Sequence, residues 1–376
     1  MSGGVDWSPL FQLLLLGLAL GCLPLLVWVA RSRGLAAPQR LRALLLLTLF
    51  LSFDLVVFGA FTRLSDSGLG CPDWPGCYGA ASPLGARGEI AAEQALRPSG
   101  PVTHGKAWVE MVHRYWASAV GFLIVVSLTL AWRWRAQLGP RAWQLALVTL
   151  VWVLLQGVFG ALTVTMKLFP AIVTLHLLGG LGLLVWLLVQ AERLRPQPLA
   201  LPAAPRAWLH AGLAVLLLQI MLGGWVSTNY AVLVCRDFPT CQQSWWPAMD
   251  FAAGFTLWRE LGQTADGAWL GLPALTAIHM AHRLGAVLLT GVLLLLVRGL
   301  WRPAPLFARG LLALLALQLL SGVSNVVLGW PLLAALLHSA GAAGLTLLLS
   351  SLACRVHLRA QQPVPAPAPL AAKVCA

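Results

Sequence analysis

Two short polar segments stand at the start of long apolar runs, and they hold the residue types best able to do chemistry inside a membrane. Residues 110–114 read Glu-Met-Val-His-Arg, and residues 279–283 read His-Met-Ala-His-Arg. Positions i and i+3 share one face of a helix, so the first and fourth residues of each segment point into one space. Carboxylates and imidazoles can move protons, and imidazoles can bind metal ions. The sequence therefore predicts two equivalent interior sites, one in each half of the chain.

The composition is that of an integral membrane protein. Of 376 residues, 59% are hydrophobic and 10% are charged, and the mean hydropathy is +0.81. About 20 helical residues cross a hydrocarbon core. The first run lacks the basic start of a signal peptide, so we expect it to be retained as a helix. Nine runs are long enough to span: 9–30, 43–62, 109–132, 142–165, 170–191, 207–228, 274–297, 306–328 and 331–353.

The net charge of +13 reports topology and does not indicate nucleic-acid binding. Of the 25 basic residues, 16 fall in alternate loops, with Glu192 as the one acid among them. The positive-inside rule places these loops in the cytoplasm, which puts the N-terminus outside and the C-terminus inside. We expect membrane lipid as a partner and exclude nucleic acid. The basic loops are 31–42, 133–141, 192–206, 298–309 and 354–376.

The second half of the chain repeats the first. Gly59, Asp73 and Pro75 recur 164 residues later, and His176 recurs 162 residues later. Each repeat holds four spans and so keeps its orientation, which makes the repeats parallel. We predict an all-α polytopic membrane protein of two four-helix bundles plus one extra N-terminal transmembrane helix. The predicted divisions are 1–42 (extra helix and inner loop), 43–191 (N-terminal bundle), 192–206 (inner linker), 207–353 (C-terminal bundle) and 354–376 (disordered Pro/Ala-rich cytoplasmic tail).

Each repeat has a long outer loop with two cysteines six residues apart. They are Cys71 and Cys77 in one loop and Cys235 and Cys241 in the other. Disulfides persist on the oxidising side of a membrane, so we favour a disulfide in each loop. A metal site and a redox-active dithiol remain alternatives, and a structural and a redox role are both open.

Four histidines lie at matching depths in the apolar runs, two in each repeat. A single such histidine is more often a hydrogen-bonded core residue, but four at paired depths favour a ligand role. Two imidazoles from facing helices suit bis-histidine haem ligation, whereas zinc requires a third or fourth ligand. The four are His113, His176, His282 and His338.

Three charged residues in the apolar runs need an explanation. Arg114 and Arg283, each following a histidine of the polar segments, can extend toward the surface and pair with haem propionates. Asp54 is either a functional acid or a protonated side chain bonded to a neighbouring helix. The sequence does not choose between these alternatives.

These motifs resemble the haem A synthase family, in the bacterial type with cysteine pairs in the outer loops. The resemblance rests on the 110–114 segment, the Thr-Arg-Leu-Ser-Asp-Ser-Gly-Leu segment at 62–69, the cysteine pairs and the histidine spacing. It covers roughly residues 43–353. The family pattern has eight spans, so the first helix is a departure with no assigned function.

The resemblance implies an enzyme that oxidises the ring methyl group of haem O to the formyl group of haem A by successive hydroxylations, for terminal cytochrome oxidase assembly. It implies that His282 and His338 hold a resident haem b and that His113 and His176 face the substrate haem. Glu110, beside the substrate iron, suits proton transfer or stabilisation of positive charge at the methyl carbon.

The same resemblance implies a bacterial plasma (inner) membrane location and several partners. These are the haem O synthase that hands over haem O, an electron donor or acceptor in the membrane, and terminal oxidase assembly factors. Two other classes of protein remain in competition. A dihaem b-type cytochrome relaying electrons from quinol would explain the histidines but leave Glu110 without a task, and a transporter would leave the paired histidines unexplained.

Overall fold

The computed structural model describes residues 8–360, and the apolar runs form helices throughout this range. Proline stands in the first turn of several helices, where its missing N–H has no helical partner to lose. In chain order the helices are α1 (Ser8–Arg31), α2 (Ala37–Leu64), α3 (Arg87–Leu96), α4 (His104–Arg133), α5 (Arg135–Leu138), α6 (Pro140–Thr165), α7 (Pro170–Arg193), α8 (Ala203–Thr228), α9 (Phe251–Gly254), α10 (Leu272–Leu300), α11 (Pro305–Val327) and α12 (Leu332–Ala360).

Nine helices within the described range are long and apolar enough to cross a membrane, and they coincide with the nine predicted runs. The predicted all-α polytopic fold is therefore confirmed. Helices α2, α4, α6 and α7 close into one ring, and α8, α10, α11 and α12 close into an equivalent ring. The two rings meet where α2 and α7 pack against α12 and where α7 packs against α8. One apolar core runs through both bundles.

Helix α1 packs along the outside of the first bundle, against α4. A Cβ atom on Gly17 would lie 2.3 Å from the Cβ of Ser118, so only glycine permits this close approach. Leu13 joins a buried cluster with Met111 and Tyr115 of α4. Helix α1 therefore packs against α4, the helix that carries the first polar segment, and stabilises its position.

The last helix continues to Ala360, so the predicted disordered tail does not begin at residue 354. Contacts with the other half of the chain hold this extension. The Arg355 guanidinium lies 3.2 Å from the Glu192 carboxylate, and the Arg355 carbonyl accepts a 3.0 Å hydrogen bond from the N–H of Leu199. Composition suggested a tail because these long-range partners are not visible in local sequence. The rest of the predicted tail lies outside the described residues.

The two repeats touch each other through equivalent positions at the outer ends of α2 and α8. Arg63 donates a hydrogen bond to the carbonyl oxygen of Ser227, and Tyr230 donates one to the carboxylate of Asp66. Both pairs are separated by 164 residues, the offset of the repeat. Two copies of one repeat bring equivalent positions together only where their two-fold axis passes. The local two-fold axis that relates the repeats therefore passes between the two bundles.

Each outer loop is closed by a disulfide. The Cα atoms are 4.9 Å apart for Cys71 and Cys77 and 4.7 Å apart for Cys235 and Cys241, and the four side chains are fully buried. These distances lie within the range that a disulfide requires. The loops are thus compact caps over the outer ends of the two bundles.

Candidate functional site

The four predicted histidines come together as two pairs, one inside each bundle. The ring centroids of His282 and His338 are 6.4 Å apart. His113 on α4 and His176 on α7 are the corresponding two histidines of the N-terminal bundle. Two imidazoles on opposite sides of one metal ion, each about 2 Å from it, have ring centroids about 6 Å apart. The separation of His282 and His338 therefore leaves room for one metal ion between the two imidazoles, and these two residues would hold a haem iron.

A glycine of a neighbouring helix lies against each histidine ring. An added Cβ atom would lie 3.0 Å from the ring carbon Cε1 of His113 or His282, 3.3 Å from that of His338 and 3.6 Å from that of His176. The glycines are, in the same order, Gly59, Gly223, Gly322 and Gly160. The repeat match found Gly59 and Gly223 in the sequence, but only the structure shows that they make room for the rings.

The Nδ1 atoms of the histidines differ between the two bundles. In the C-terminal bundle, the amide nitrogen of Gln219 lies 3.0 Å from Nδ1 of His282, and the hydroxyl of Ser321 lies 3.0 Å from Nδ1 of His338. In the N-terminal bundle, Nδ1 of His113 and Nδ1 of His176 are buried without a hydrogen-bond partner. The N-terminal histidines therefore lack the side-chain anchors at Nδ1 that the C-terminal histidines have. The residues of both bundles thus fit a haem.

The surroundings of His113 are more apolar than those of His176, His282 and His338. At the other three, the third residue after the histidine is a glycine covered by a glutamine side chain: Gly179 by Gln156, Gly285 by Gln219, and Gly341 by Gln318. After His113 the corresponding residue is Trp116, and Leu55 stands at the position of the α8 glutamine. Phe58 stacks on the His113 ring at 6.2 Å and lies 6.0 Å from Trp116. The N-terminal site therefore has an aromatic wall where the C-terminal site has an amide.

Glu110 is buried at the outer end of the N-terminal bundle, with 4% of its surface exposed. One carboxylate oxygen accepts a 2.8 Å hydrogen bond from the N–H of Cys71, and the other is paired with the Arg114 guanidinium. Arg114 also donates to the loop carbonyl of Gly76 at 2.6 Å. The carboxylate is therefore fixed in place, one turn before His113, at the junction of α4 with the disulfide loop.

The second polar segment makes an equivalent junction. Arg283 donates hydrogen bonds to loop carbonyls, at 2.8 Å to Thr240 and at 3.0 Å to Asp237. His279, at the position of Glu110, donates from Nδ1 to the Ala231 carbonyl at 2.9 Å. Arg114 and Arg283 thus hold the outer loops in this structure. Propionate binding by either arginine stays a prediction.

Two further sequence alternatives can be placed on the structure. Within residues 8–360, no three or more His, Cys, Asp or Glu side chains come close enough to share a metal ion, so the histidine pairs and the loop cysteines do not form a zinc-type cluster. Asp54 is partly exposed on α2. The described part of the chain shows no bond from Asp54 to a neighbouring helix.

Comparison with known proteins assigns the chain to a family. The model of the COX15-CtaA family, described as cytochrome oxidase assembly protein, matches residues 42–350 and leaves α1 outside. A protein named heme A synthase from Shewanella oneidensis is 40% identical over 319 residues, which cover 83% of this chain and 95% of that protein. Proteins of the same name from a Methylobacterium species and from Caulobacter vibrioides are 30% and 28% identical, covering 84% and 81% of this chain and 92% of each relative. The resemblance predicted from the motifs is confirmed: this chain belongs to the COX15-CtaA family.

Proposed function

We propose that this chain is a haem A synthase, which oxidises the ring methyl group of haem O to the formyl group of haem A by successive hydroxylations. The observation that carries the proposal is the presence of two histidine pairs of the same construction but with different surroundings. An enzyme that binds one haem permanently and exchanges another needs two unlike sites, whereas an electron carrier would leave Glu110 without a task.

The C-terminal bundle is the site we propose for a resident haem b, held by His282 and His338. Histidine ligands of bound metals are almost always oriented by a hydrogen bond through their second ring nitrogen. The Ser321 hydroxyl, which can accept such a hydrogen bond, stands at that position for His338, whereas at His282 the amide nitrogen of Gln219 donates toward Nδ1. When bound there, haem b supplies one-electron transfer. The protein groups fix the two rings before the cofactor arrives.

The N-terminal bundle is the site we propose for the substrate haem O, with product haem A leaving from it. Its histidine Nδ1 atoms have no side-chain anchor, which suits a molecule that must enter and leave. The aromatic wall of Phe58 and Trp116 offers an apolar surface to the substrate. Glu110, one turn before His113 and held by the Cys71 N–H and Arg114, is the carboxylate we assign to accept a proton or to stabilise positive charge on the substrate.

The membrane setting follows from the loops. We propose a multi-pass protein of the bacterial inner membrane, with the N-terminus outside and the C-terminus in the cytoplasm. The basic inner loops support this orientation, as do the disulfides in both outer loops. The proposed partners are the haem O synthase as the source of substrate, a membrane electron donor or acceptor, and the assembly factors of the terminal oxidase.

The test is the conversion of haem O in cells that make haem O but no haem A. Expression of the chain should make haem A appear in chromatograms of extracted haems, and the amount of haem O should fall by the amount of haem A formed. The His113→Ala variant, expressed at the same level, should leave haem O unchanged. Haem O that persists while the purified wild-type chain carries haem b would contradict the proposal and favour a dihaem electron carrier.

A further inference from the structure

Helix α1 covers one face of α4 in the first bundle, and the equivalent face of α10 in the second bundle is exposed. The two polar segments set an offset of 169 residues between α4 and α10. Ser118, against which Gly17 of α1 packs, therefore corresponds to Val287. Val287 is 72% exposed, and the next residue, Leu288, is 53% exposed. The second bundle thus has an open surface where the first bundle has a helix.

This surface continues along α10 as an apolar stripe that ends at an arginine. Its members recur every three or four residues, so they share one face of the helix. The residues of this α10 stripe are Leu284, Leu288, Gly291 and Leu295, and Arg298 follows at the same spacing in the last turn. From Leu288 to Arg298 the helix rises about 15 Å, which is half of a hydrocarbon core of about 30 Å. The stripe therefore has the length of one lipid leaflet.

An open cavity of about 820 Å³ lies at the arginine end of the α10 stripe. It is lined by Pro202, Arg298, Gly299, Trp301, Arg302 and Pro303. Both arginines are exposed, and within residues 8–360 neither forms an ion pair with a carboxylate. Trp301 is also exposed, and tryptophan is typical of the depth at which lipid headgroups lie. The cavity thus offers two unneutralised positive charges at the level of the headgroups.

The side chains of this face suit an acyl chain better than a second helix. Helix α1 comes close to α4 because Gly17 meets the small residues Ser118 and Ala119, and close helix packing in membranes relies on small residues. At the equivalent positions α10 has Val287 and Leu288. These larger side chains keep a helix backbone at a distance, whereas a flexible acyl chain can pack around them.

We propose that this face of α10 binds an anionic phospholipid. Its phosphate lies at Arg298 and Arg302, and an acyl chain lies along the α10 stripe. A guanidinium binds phosphate through paired, charge-assisted hydrogen bonds, and basic pockets at the ends of membrane helices bind anionic headgroups in this way. The lipid covers the second bundle where α1 covers the first, so its binding should raise the melting temperature of the protein.

The first test compares two lipids that differ only in headgroup charge. Delipidated protein would be titrated with phosphatidylglycerol or phosphatidylcholine of the same acyl chains, and bound lipid counted by native mass spectrometry. The wild type should bind one phosphatidylglycerol more tightly than phosphatidylcholine. A variant with both Arg298→Gln and Arg302→Gln should bind phosphatidylglycerol about 30-fold more weakly, because each arginine near an anionic lipid contributes about fivefold. Arg133→Gln is the matched control, because Arg133 is the exposed residue of the first bundle that corresponds to Arg302; it should bind like the wild type.

The second test locates the acyl chain. Phosphatidylglycerol with a photoreactive diazirine in one acyl chain would be bound and irradiated, and the modified peptides identified by mass spectrometry. Residues 284–295 should be labelled in the wild type, and this labelling should be lost in the double arginine variant.

Four outcomes would overturn the inference. Equal affinity of the wild type for both lipids would do so without any variant. An equal loss of phosphatidylglycerol in Arg133→Gln and in the double variant would show attraction to positive charge in general. Labelling of other helices without residues 284–295 would place the lipid elsewhere. A dimer of the wild type that is lost in Leu288→Gln, with lipid binding unchanged, would assign the face to a second copy of this chain.

Discussion

The glycines beside the histidine rings allow a graded prediction about ligand binding. Replacing each by alanine adds one methyl group at a known distance from the ring. The added Cβ atom would lie 3.0 Å from His282 in Gly223→Ala, 3.3 Å from His338 in Gly322→Ala and 3.6 Å from His176 in Gly160→Ala. Contact between carbon atoms is optimal at about 3.5–4.0 Å, so only the first two changes force the ring to move.

Overpacking of this kind costs about 1–3 kcal/mol, which is about 5- to 150-fold in binding. We expect Gly223→Ala to lower haem retention in the C-terminal bundle most, Gly322→Ala less, and Gly160→Ala to have little effect on the N-terminal site. Gly291→Ala on α10 is the control, because its added methyl group meets no atom within 4 Å.

The assay is haem content per purified polypeptide, measured by pyridine haemochrome absorbance after washing in detergent. Protein folding is checked separately by size-exclusion chromatography. Equal haem loss in Gly223→Ala and Gly291→Ala would refute the reasoning. So would full retention in Gly223→Ala, because the His282 ring would then not be the ligand positioned by that contact.

Three further changes test other parts of the site. Glu110→Gln and Arg114→Met both break a buried ion pair, at a cost of about 3–5 kcal/mol in stability, but only Glu110→Gln removes the carboxylate. Haem A formation should therefore be lower in Glu110→Gln than in Arg114→Met. Equal activity in the two variants would show that Glu110 has only a structural role. Removal of the Cys71–Cys77 disulfide in a Cys71→Ser, Cys77→Ser variant should lower the free energy of unfolding by about 2 kcal/mol and slow haem A formation, because the Cys71 N–H holds Glu110. Melting and activity equal to wild type in this variant would contradict this prediction. Hydrogen bonds from the Thr240 hydroxyl and from the N–H groups of Gln242 and Gln243 lower the pKa of Asp237. The stability that they contribute is present above the unfolded pKa of about 3.9 and is lost as pH falls through the lower folded pKa. Asp237→Asn should therefore make the loop sensitive to protease at pH 7, and protease resistance equal to wild type would show that Asp237 does not hold the loop.

The sequence predicted what depends on position along a helix. Apolar runs located all nine spans in the described range, and counting turns paired the histidines at matching depth. The repeat offset predicted which positions correspond between halves. The position of a span and the depth of a histidine can both be counted along the sequence, because a helix rises by a fixed distance per residue.

The sequence did not predict the side-chain contacts that depend on the rotation of each helix about its axis and on the path of the loops. The contacts of Arg114 and Arg283 with loop carbonyls require the loops to fold back over the bundles, and no local pattern indicates this. The unlike Nδ1 surroundings required knowing which face of α8 and α11 meets the rings. Gln219 and Ser321 were therefore missed.

We propose that the two bundles hold haems with different roles. The most direct test is the haem composition of two matched variants, His176→Ala and His338→Ala, purified from cells that make haem O. We expect His176→Ala to retain haem b and to lack haem O and haem A, whereas His338→Ala should lose haem b. Loss of the same haem from both variants, or loss of haem b from His176→Ala alone, would contradict it.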